Sequence, residues 1–113
     1  MENKRKKGFE YEQKACDFLV EHNLNIIHRN FYSKVGEVDI IAKDKETLVF
    51  VEVKYRKNND FGSPEEAINK KKIKKIKDTA LIYLQINNLH ETDVRFDVVS
   101  ILGEKITWIR AAF

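Results

Sequence analysis

The stretch GEVDIIAKDKETLVFVEVK, residues 36–54, contains two apolar runs that are interrupted by acidic residues. The runs are residues 36–42 and 49–54, and the segment between them is polar and able to turn. Short apolar runs bounded by polar turn residues are typical of strands. We therefore predict an antiparallel hairpin whose midpoint lies between Lys45 and Glu46.

The midpoint of this hairpin fixes which residues face one another. Asp39 then lies opposite Glu52, and Glu37 lies opposite Lys54. Directly opposed residues share one face of a sheet, with their Cβ atoms about 5 Å apart. One face of the hairpin therefore carries Glu37, Asp39, Ile41, Phe50, Glu52 and Lys54. The other face is apolar and carries Val38, Ile40, Ala42, Val49, Val51 and Val53.

The charged face combines three acids with one lysine, and this imbalance needs an explanation. Like charges placed opposite each other destabilise a sheet, and the two apolar residues on the same face indicate that it is covered. Buried carboxylates need a counter-charge. A hard divalent cation such as Mg²⁺ supplies one, since it takes oxygen ligands and keeps several waters. The alternative is an edge hairpin with solvated acids, and a one-residue slip in register would separate the acids onto opposite faces.

Asp39, followed on the next strand by Glu52-Val53-Lys54, resembles the signature of the PD-(D/E)XK nuclease superfamily, which has the restriction-endonuclease-like fold. More closely, the chain resembles the YraN family of predicted endonucleases, which is similar to archaeal Holliday junction resolvases. The matching runs span nearly the whole chain in the order of the family. They are Gly8-Phe9-Glu10-Tyr11-Glu12 with Ala15, Gly36-Glu37-Val38-Asp39, Phe50-Val51-Glu52-Val53-Lys54-Tyr55-Arg56, Phe61-Gly62, Lys72, Arg95-Phe96-Asp97 and Ala112-Phe113.

The resemblance implies a metal-dependent nuclease that hydrolyses phosphodiester bonds in DNA, including branched or damaged DNA. Its cofactor would be Mg²⁺ or Mn²⁺, and a homodimer is expected by analogy with resolvases that act on symmetric junctions. Glu12, which interrupts the apolar stripe of the first helix, would complete or support the metal site. The alternative for Glu12 is a glutamate that reaches solvent from the edge of that stripe.

The chemistry assigns a role to each acidic or basic group near the hairpin. Asp39 and Glu52 are the predicted metal ligands, with the backbone carbonyl of Val53 as a third. Lys54 would orient the attacking water or stabilise the charge that develops on the phosphate. Glu37, like Glu12, would contact the metal or the water, or orient Lys54.

Basic residues are clustered at two places, although the net charge is only +3. One cluster is residues 4–7 and the other lies within residues 70–77. Such clusters attract phosphate backbones in a salt-dependent manner. A solvated helix face with a disordered tail is the alternative. We expect Arg56 and Lys72 to contact the scissile phosphate, and the remaining nucleic-acid contacts to come from Lys70, Lys71, Lys74 and Lys75.

The composition is that of one globular domain. With 113 residues and 42% hydrophobic content, we expect a basic, flexible segment at residues 1–7 and a single nuclease-like domain at residues 8–113. One cysteine, Cys16, excludes an internal disulfide framework. The chain has no apolar run long enough to span a bilayer and no signal-peptide pattern, so we expect a cytoplasmic protein that does not bind membranes.

The order of elements predicts an α/β fold with an αβββαβ core, a mixed central sheet flanked by helices, and an extra C-terminal strand. The first helix is expected at residues 8–22 and the first strand at residues 25–31. A loop at residues 57–62 leads to a second helix that opens at Ser63 with a Ser-x-x-Glu capping box and ends at Asn87-Asn88. Strands at residues 95–102 and 105–110 follow, joined by a two-residue turn at Gly103.

Two classes of function remain open from the sequence. One is the metal-dependent nuclease, and the other is a non-catalytic nucleic-acid-binding module that retains the fold and acts with an unidentified protein partner. Other chemistries are disfavoured. The chain has no glycine-rich phosphate loop, its cysteine lies on an apolar helix stripe, and its histidines lack metal-ligand spacing. These histidines are His22, His28 and His90.

Overall fold

A computed structural model describes residues 4–56 and 68–113, with side chains from residue 8 onward. The described residues form two helices and five strands. In chain order these are α1 (Lys4–Glu21), β1 (Asn25–Tyr32), β2 (Glu37–Asp44), β3 (Thr47–Arg56), α2 (Lys70–Ile86), β4 (Val94–Leu102) and β5 (Lys105–Ile109).

The five strands form one sheet in the order β1-β2-β3-β4-β5. β3 and β4 pair in parallel, and α2 lies in the connection between them, whereas the other neighbours pair antiparallel. This confirms the predicted mixed α/β fold with its additional C-terminal strand. The hairpin register is also confirmed from Ile40 opposite Val51 to Asp44 opposite Thr47.

The two helices cover opposite sides of the sheet, which we call the α1 face and the α2 face. On the α1 face, buried Ala15 and Leu19 pack with Ile40 and Val51. The α2 face holds a second cluster, composed of Val38, Ile41, Leu48, Phe50, Ile76, Ala80 and Tyr83. Burying each large apolar side chain contributes about 1.5–3 kcal/mol, so both helices are fixed to the sheet by apolar contact.

The helix boundaries differ from the prediction at both N-termini. α1 begins at Lys4, four residues before the predicted start. α2 begins at Lys70, because Asn69 is its N-cap and accepts a hydrogen bond of 2.8 Å from the Lys72 N–H. The predicted start at Ser63 is therefore wrong for this helix. Its capping box and the predicted loop at residues 57–62 lie outside the described residues.

The ends of the later elements agree with the prediction. Asn87 is the C-cap of α2, and Asn88 follows it with a positive φ of 55°. Gly103, with a φ of 60°, lies in the turn that joins β4 to β5. A positive φ costs little for glycine and is tolerated by asparagine, so local turn chemistry located these boundaries correctly.

The alternation of side chains between the two faces of the sheet is broken at Asn30 in β1 and at Asp39 in β2. We call this break the change of phase. Beyond this point Phe31 and Val38 pack on the α2 face, although strict alternation from Ile40 would put Val38 on the α1 face. Asn30 has a φ of 54°, and the register places Phe31 opposite Val38 without a pair between Asn30 and Asp39. The prediction that Val38 shares a face with Ile40 is therefore wrong.

A buried carboxylate ties the C-terminal residues to the sheet. Asp97, which is fully buried, accepts hydrogen bonds of 2.9 and 3.0 Å from the Arg95 guanidinium. It also accepts from Trp108 Nε1 at 2.9 Å and from the Ala111 N–H at 3.0 Å. Arg95 Nη1 continues to Asp44 at 3.0 Å. The match to the family at Arg95 and Asp97 thus has a structural explanation, because these side chains form a hydrogen-bonded network.

Neither described helix is long and apolar enough to cross a membrane.

Candidate functional site

The candidate site lies where β2 and β3 stop pairing. The last opposed pair at this end is Ile40 and Val51. One step further, the Val53 N–H donates to Asp39 Oδ2 at 2.9 Å. A carboxylate oxygen of Asp39 thus accepts a bond from the backbone of the neighbouring strand. The side chain is held in place and is largely buried, with 8% of the residue exposed.

Glu52 places a second buried carboxyl group beside Asp39. The residue is 4% exposed, and the Asp39 carboxyl group is close enough for its negative charge to raise the pKa of Glu52. Glu52 Oε2 has no hydrogen-bond donor among the described residues. Two carboxylates cannot hydrogen-bond each other unless one of them carries a proton. The pair therefore needs a proton or a cation.

The titration of the pair follows from its burial. Burial raises the pKa of Glu52 to about 7, with a further contribution from the negative charge of Asp39. Burial also raises the pKa of Asp39, while the Val53 N–H opposes that rise by stabilising the ionised form. Lys72 and Lys54 lower both pKa values, but desolvation outweighs them.

Two lysines provide positive charge next to the pair. Lys54 Nζ and Lys72 Nζ each lie 3.6 Å from Glu52 Oε1. Lys54 is carried by β3, and Lys72 lies in the first turn of α2, which the Asn69 cap begins at that point. Both side chains are about one-third exposed. Their ion pairs are thus weak, and both ammonium groups can turn toward an incoming anion.

The donor set fits a hard divalent cation better than a soft one. Within the described parts of the chain, no group of three or more His, Cys, Asp or Glu residues could hold a metal ion. A cation here would be bound by the carboxylates of Asp39 and Glu52 and completed by water, backbone or phosphate oxygens. Mg²⁺ is commonly bound in this way, by one or two carboxylates. The Val53 carbonyl stays a predicted ligand, since its described site contact involves the N–H.

Glu12 approaches the same region from α1. Its side chain is 18% exposed, and its Oε2 lies 4.0 Å from Arg29 Nη2. Burial raises the pKa of Glu12, and the charge of Asp39 raises it further. Groups from α1 and from α2 thus converge on Asp39, although the helices lie on opposite faces of the sheet. The change of phase at Asp39 makes this possible.

Glu37 lies on the α1 face and not opposite Lys54, so the predicted contact between them is wrong. The physical reason is the change of phase at Asp39, which reverses the faces of the two residues before it. Glu37 is paired with Tyr32 across β1 and β2. Together with Glu12 it lines a cleft of about 570 Å³. We call this the acidic cleft, lined by Gly8, Phe9, Glu12, Asn30, Tyr32 and Glu37.

Sequence reasoning missed several residues around this cleft. Phe9, in the second turn of α1, is 56% exposed. The Arg29 guanidinium lies 4.8 Å from its ring centroid and donates to Gln13 Oε1 at 2.7 Å. Neither Arg29 nor Asn30 stands out by pattern. The glycine-aromatic pair at the start of an amphipathic helix was the one available signal.

The predicted nucleic-acid contacts on α2 are solvent-exposed. Lys70, Lys71, Lys74 and Lys75 lie in its first two turns, beside Lys72. Among them, Lys74 forms an ion pair of 2.7 Å with an aspartate one turn further on, and Lys75 packs over the turn before β2. The final residue of β3 is Arg56, which lies on the same strand as Lys54 and Glu52. The side chains of residues 4–7 lie outside the described part of the chain.

Close packing between a turn and α2 fixes the start of β2. A Cβ atom on Gly36 would lie 3.3 Å from both Lys75 Cβ and Thr79 Oγ1. The Ser33 hydroxyl is 3.0 Å from Thr79 Oγ1 and bonds to the Gly36 carbonyl at 3.1 Å. Glycine is needed here for close approach, and the contact sets where the strand that carries Asp39 begins.

Residues 11–101 match the model of the uncharacterised protein family UPF0102. This range contains Glu12, Asp39, Glu52 and Lys54. A UPF0102 protein of Fusobacterium nucleatum is 43% identical over 108 residues, which cover 96% of this chain and 91% of the relative.

Other UPF0102 proteins match over a similar extent. One from Aliivibrio salmonicida is 47% identical over 114 residues, covering 97% of this chain and 93% of the relative. Another, from a Sulfurihydrogenibium species, is 47% identical over 111 residues, covering 98% and 96%. These names state no activity. They confirm the resemblance to the YraN family at the level of the family, and the chain belongs to the uncharacterised protein family UPF0102.

Proposed function

We propose that this protein is a metal-dependent nuclease of the PD-(D/E)XK type that hydrolyses phosphodiester bonds in DNA. The observation that carries the proposal is the buried carboxyl pair of Asp39 and Glu52, in which Glu52 Oε2 lacks a partner among the described residues. A cation would remove the electrostatic cost of this pair. Two carboxylates with open positions for water and phosphate match the way Mg²⁺ is held at phosphate-processing sites.

Each residue near the pair has a defined task in this proposal. Asp39 and Glu52 hold Mg²⁺ or Mn²⁺. Such an ion, when bound, polarises the phosphate and lowers the pKa of its bound water. Lys54, 3.6 Å from Glu52, orients the attacking water or stabilises negative charge on the phosphate. Lys72 and Arg56 contact the scissile phosphate.

The acids on the α1 face have supporting tasks in hydrolysis. Glu12 carries a charge that interacts with Asp39 and so adjusts the electrostatic potential at the pair. Glu37 lies beside Tyr32 on the α1 face, and its predicted contact with the metal or its water stays a prediction.

Exposed lysines on α2 provide the backbone contacts in this proposal. Lys70, Lys71, Lys74 and Lys75 neutralise phosphates on both sides of the cleavage position, so binding weakens with salt. DNA, branched or damaged, is chosen over RNA on the family resemblance. A cytoplasmic location, a homodimer and a further protein partner stay predictions.

The proposal is tested with purified full-length protein and branched, single-stranded and duplex DNA, in Mg²⁺, Mn²⁺ or EDTA. We expect cleavage in the presence of either metal and none in EDTA. Asp39→Asn and Lys54→Ala should abolish cleavage and retain backbone binding. Asparagine keeps an oxygen acceptor for the Val53 N–H, so this variant should fold. Glu91→Gln, an exposed glutamate in the loop before β4, is the matched control. Cleavage that persists in both site variants would contradict the mechanism.

A non-catalytic nucleic-acid-binding module is the second candidate, favoured by the charge balance of the pair. Two acids, Asp39 and Glu52, face two lysines, Lys54 and Lys72, and a retained proton reduces the remaining cost. Such a site is stable without a metal. This candidate predicts DNA binding without cleavage, unchanged in Asp39→Asn, and a melting temperature that does not respond to Mn²⁺.

A further inference from the structure

We propose that the acidic cleft binds a nucleobase that has left the base stack, with guanine preferred. The inference rests on the proposed function for its substrate, DNA, and adds a base-binding subsite to it. The DNA bound in this way would carry an unpaired, bulged or mismatched nucleotide next to the position of cleavage.

The cleft has the size and shape of a ligand site. It lies between the start of α1 and the β1–β2 pair and encloses about 570 Å³, within the range of small-molecule pockets. Gly8 forms part of its wall. A Cβ atom on Gly8 would meet no described atom within 4 Å, so the helix leaves space there. Glycine lowers helix stability, and no close contact requires it at this position.

Two exposed aromatic rings line the cleft. Phe9 is 56% exposed and Tyr32 is 70% exposed. Arg29 stacks on the Phe9 ring at 4.8 Å, and Tyr32 lies opposite Glu37 in the β1–β2 pair. A contact with Arg29 thus holds the Phe9 ring, and strand pairing places Tyr32 at the wall of the cleft. Stacking on fixed aromatic rings is how proteins bind unpaired bases.

The polar groups of the cleft define which part of a nucleotide enters it. Glu12 and Glu37 carry carboxylates, which accept hydrogen bonds and repel phosphate. The ligand must therefore present N–H donors. Guanine offers its N1–H and its 2-amino group side by side, which match the two oxygens of one carboxylate. Adenine and cytosine each offer one amino group, and Asn30 adds a side-chain amide to the lining of the cleft.

The position of the cleft links it to the candidate metal site. Asn30 lines the cleft and lies beside Asp39, between the pair Arg29 and Ile40 and the pair Phe31 and Val38. A base held in the cleft therefore belongs to a nucleotide close to the proposed phosphate position at Asp39 and Glu52. A base inside a duplex cannot reach this position without unstacking, which is cheapest at an unpaired or mismatched site.

The test measures binding of fluorescent DNA hairpins in EDTA by anisotropy. One hairpin contains a single bulged guanine, a second contains bulged hypoxanthine, which lacks the 2-amino group, and a third is fully paired. We expect the guanine bulge to bind about tenfold more tightly than the paired hairpin, with hypoxanthine in between. Gly8→Leu fills the cleft and should remove the preference, as should Tyr32→Ala. Gly8→Ala leaves the space and should retain it.

Equal affinity for the three hairpins would overturn the inference, and so would a guanine preference that persists in Gly8→Leu. Metal-dependent cleavage can be present in either case, so failure of the cleft does not mean failure of the nuclease. If no hairpin binds in EDTA, the cleft is tested alone by NMR with guanosine and thymidine, and the nuclease proposal is judged by its own cleavage test in Mg²⁺ or Mn²⁺. Shifts at Tyr32 and Asn30 with guanosine, reduced in Gly8→Leu, would support the cleft, and their absence would overturn it.

Discussion

Glu52→Gln should make the metal-free protein more stable at pH 8, although it removes a proposed metal ligand. The Glu52 carboxyl group is buried beside Asp39, and its pKa rises from the ordinary value of 4.5 to about 7. Glutamine has the same shape, carries no charge and can donate to Asp39. The substitution therefore removes a buried charge and keeps the packing.

The size of the effect follows from linkage. The rise in pKa corresponds to about 3 kcal/mol, at about 1.4 kcal/mol per pKa unit. Because the folded state holds the proton more tightly, this contribution to stability is complete below pH 4.5 and is lost as the pH rises through 7. Glutamine does not titrate. The pKa of about 7 already includes the stabilising effect of Lys54 and Lys72 on the ionised form, so the expected gain at pH 8 is about 3 kcal/mol.

The assay is urea unfolding in EDTA at pH 5 and pH 8 for the wild type, Glu52→Gln and the control Glu91→Gln. We expect Glu52→Gln to exceed the wild type by less than about 1 kcal/mol at pH 5 and by about 3 kcal/mol at pH 8, while the control follows the wild type at both. Mn²⁺ should then stabilise the wild type by mass action and leave Glu52→Gln unaffected.

Two results would refute the reasoning on Glu52. A Glu52→Gln protein that is less stable than the wild type at pH 8 would mean that the lysine pairs outweigh desolvation. A gain that is the same at pH 5 and pH 8 would mean that the effect does not come from titration of this carboxyl group.

Three further predictions concern other parts of the molecule. Asp97→Ala should lower the free energy of unfolding by about 3–5 kcal/mol, because the Arg95 guanidinium and an indole N–H lose their shared acceptor. Urea unfolding measures the change, and a loss below about 1 kcal/mol would contradict the prediction. Replacing both Lys70 and Lys71 with glutamine should weaken DNA binding. The slope of log affinity against log salt concentration should become shallower by about 2, and an unchanged slope would exclude these lysines from the interface. Gly8→Ala should raise the free energy of unfolding by about 0.5–1 kcal/mol, measured by urea unfolding, and a loss of stability would show that the Cβ atom is not tolerated there.

Local pattern was sufficient to predict the central hairpin and the carboxyl pair. Alternation fixed the faces of residues from Ile40 to Val51, and a polar turn fixed the register, so Asp39 and Glu52 could be expected to meet. Lys72, expected at the scissile phosphate, lies in the first turn of α2, where its Nζ is 3.6 Å from Glu52 Oε1.

Other features depend on conformations or contacts that local pattern does not carry. The positive φ of Asn30 has no signature in its neighbours, and without it the reversal of faces at Val38 cannot be anticipated. The start of α2 was misplaced because a capping box at Ser63 competes with a cap at Asn69, and asparagine caps as well as serine does. The acidic cleft exists because α1 packs against β1 and β2, which is a tertiary contact.

The change of phase at Asn30 and Asp39 bears on whether the candidate site can be removed while the fold is kept. Each strand holds one residue that regular alternation does not require, and the two residues lie side by side. Deleting either one alone would slip β1 against β2 and turn the remaining side chains over. Deleting both together would remove this reversal of faces and the carboxylate with it, and would leave the separate irregularity between Ile26 and His28 in place. The candidate site thus occupies an irregularity that the sheet itself does not need.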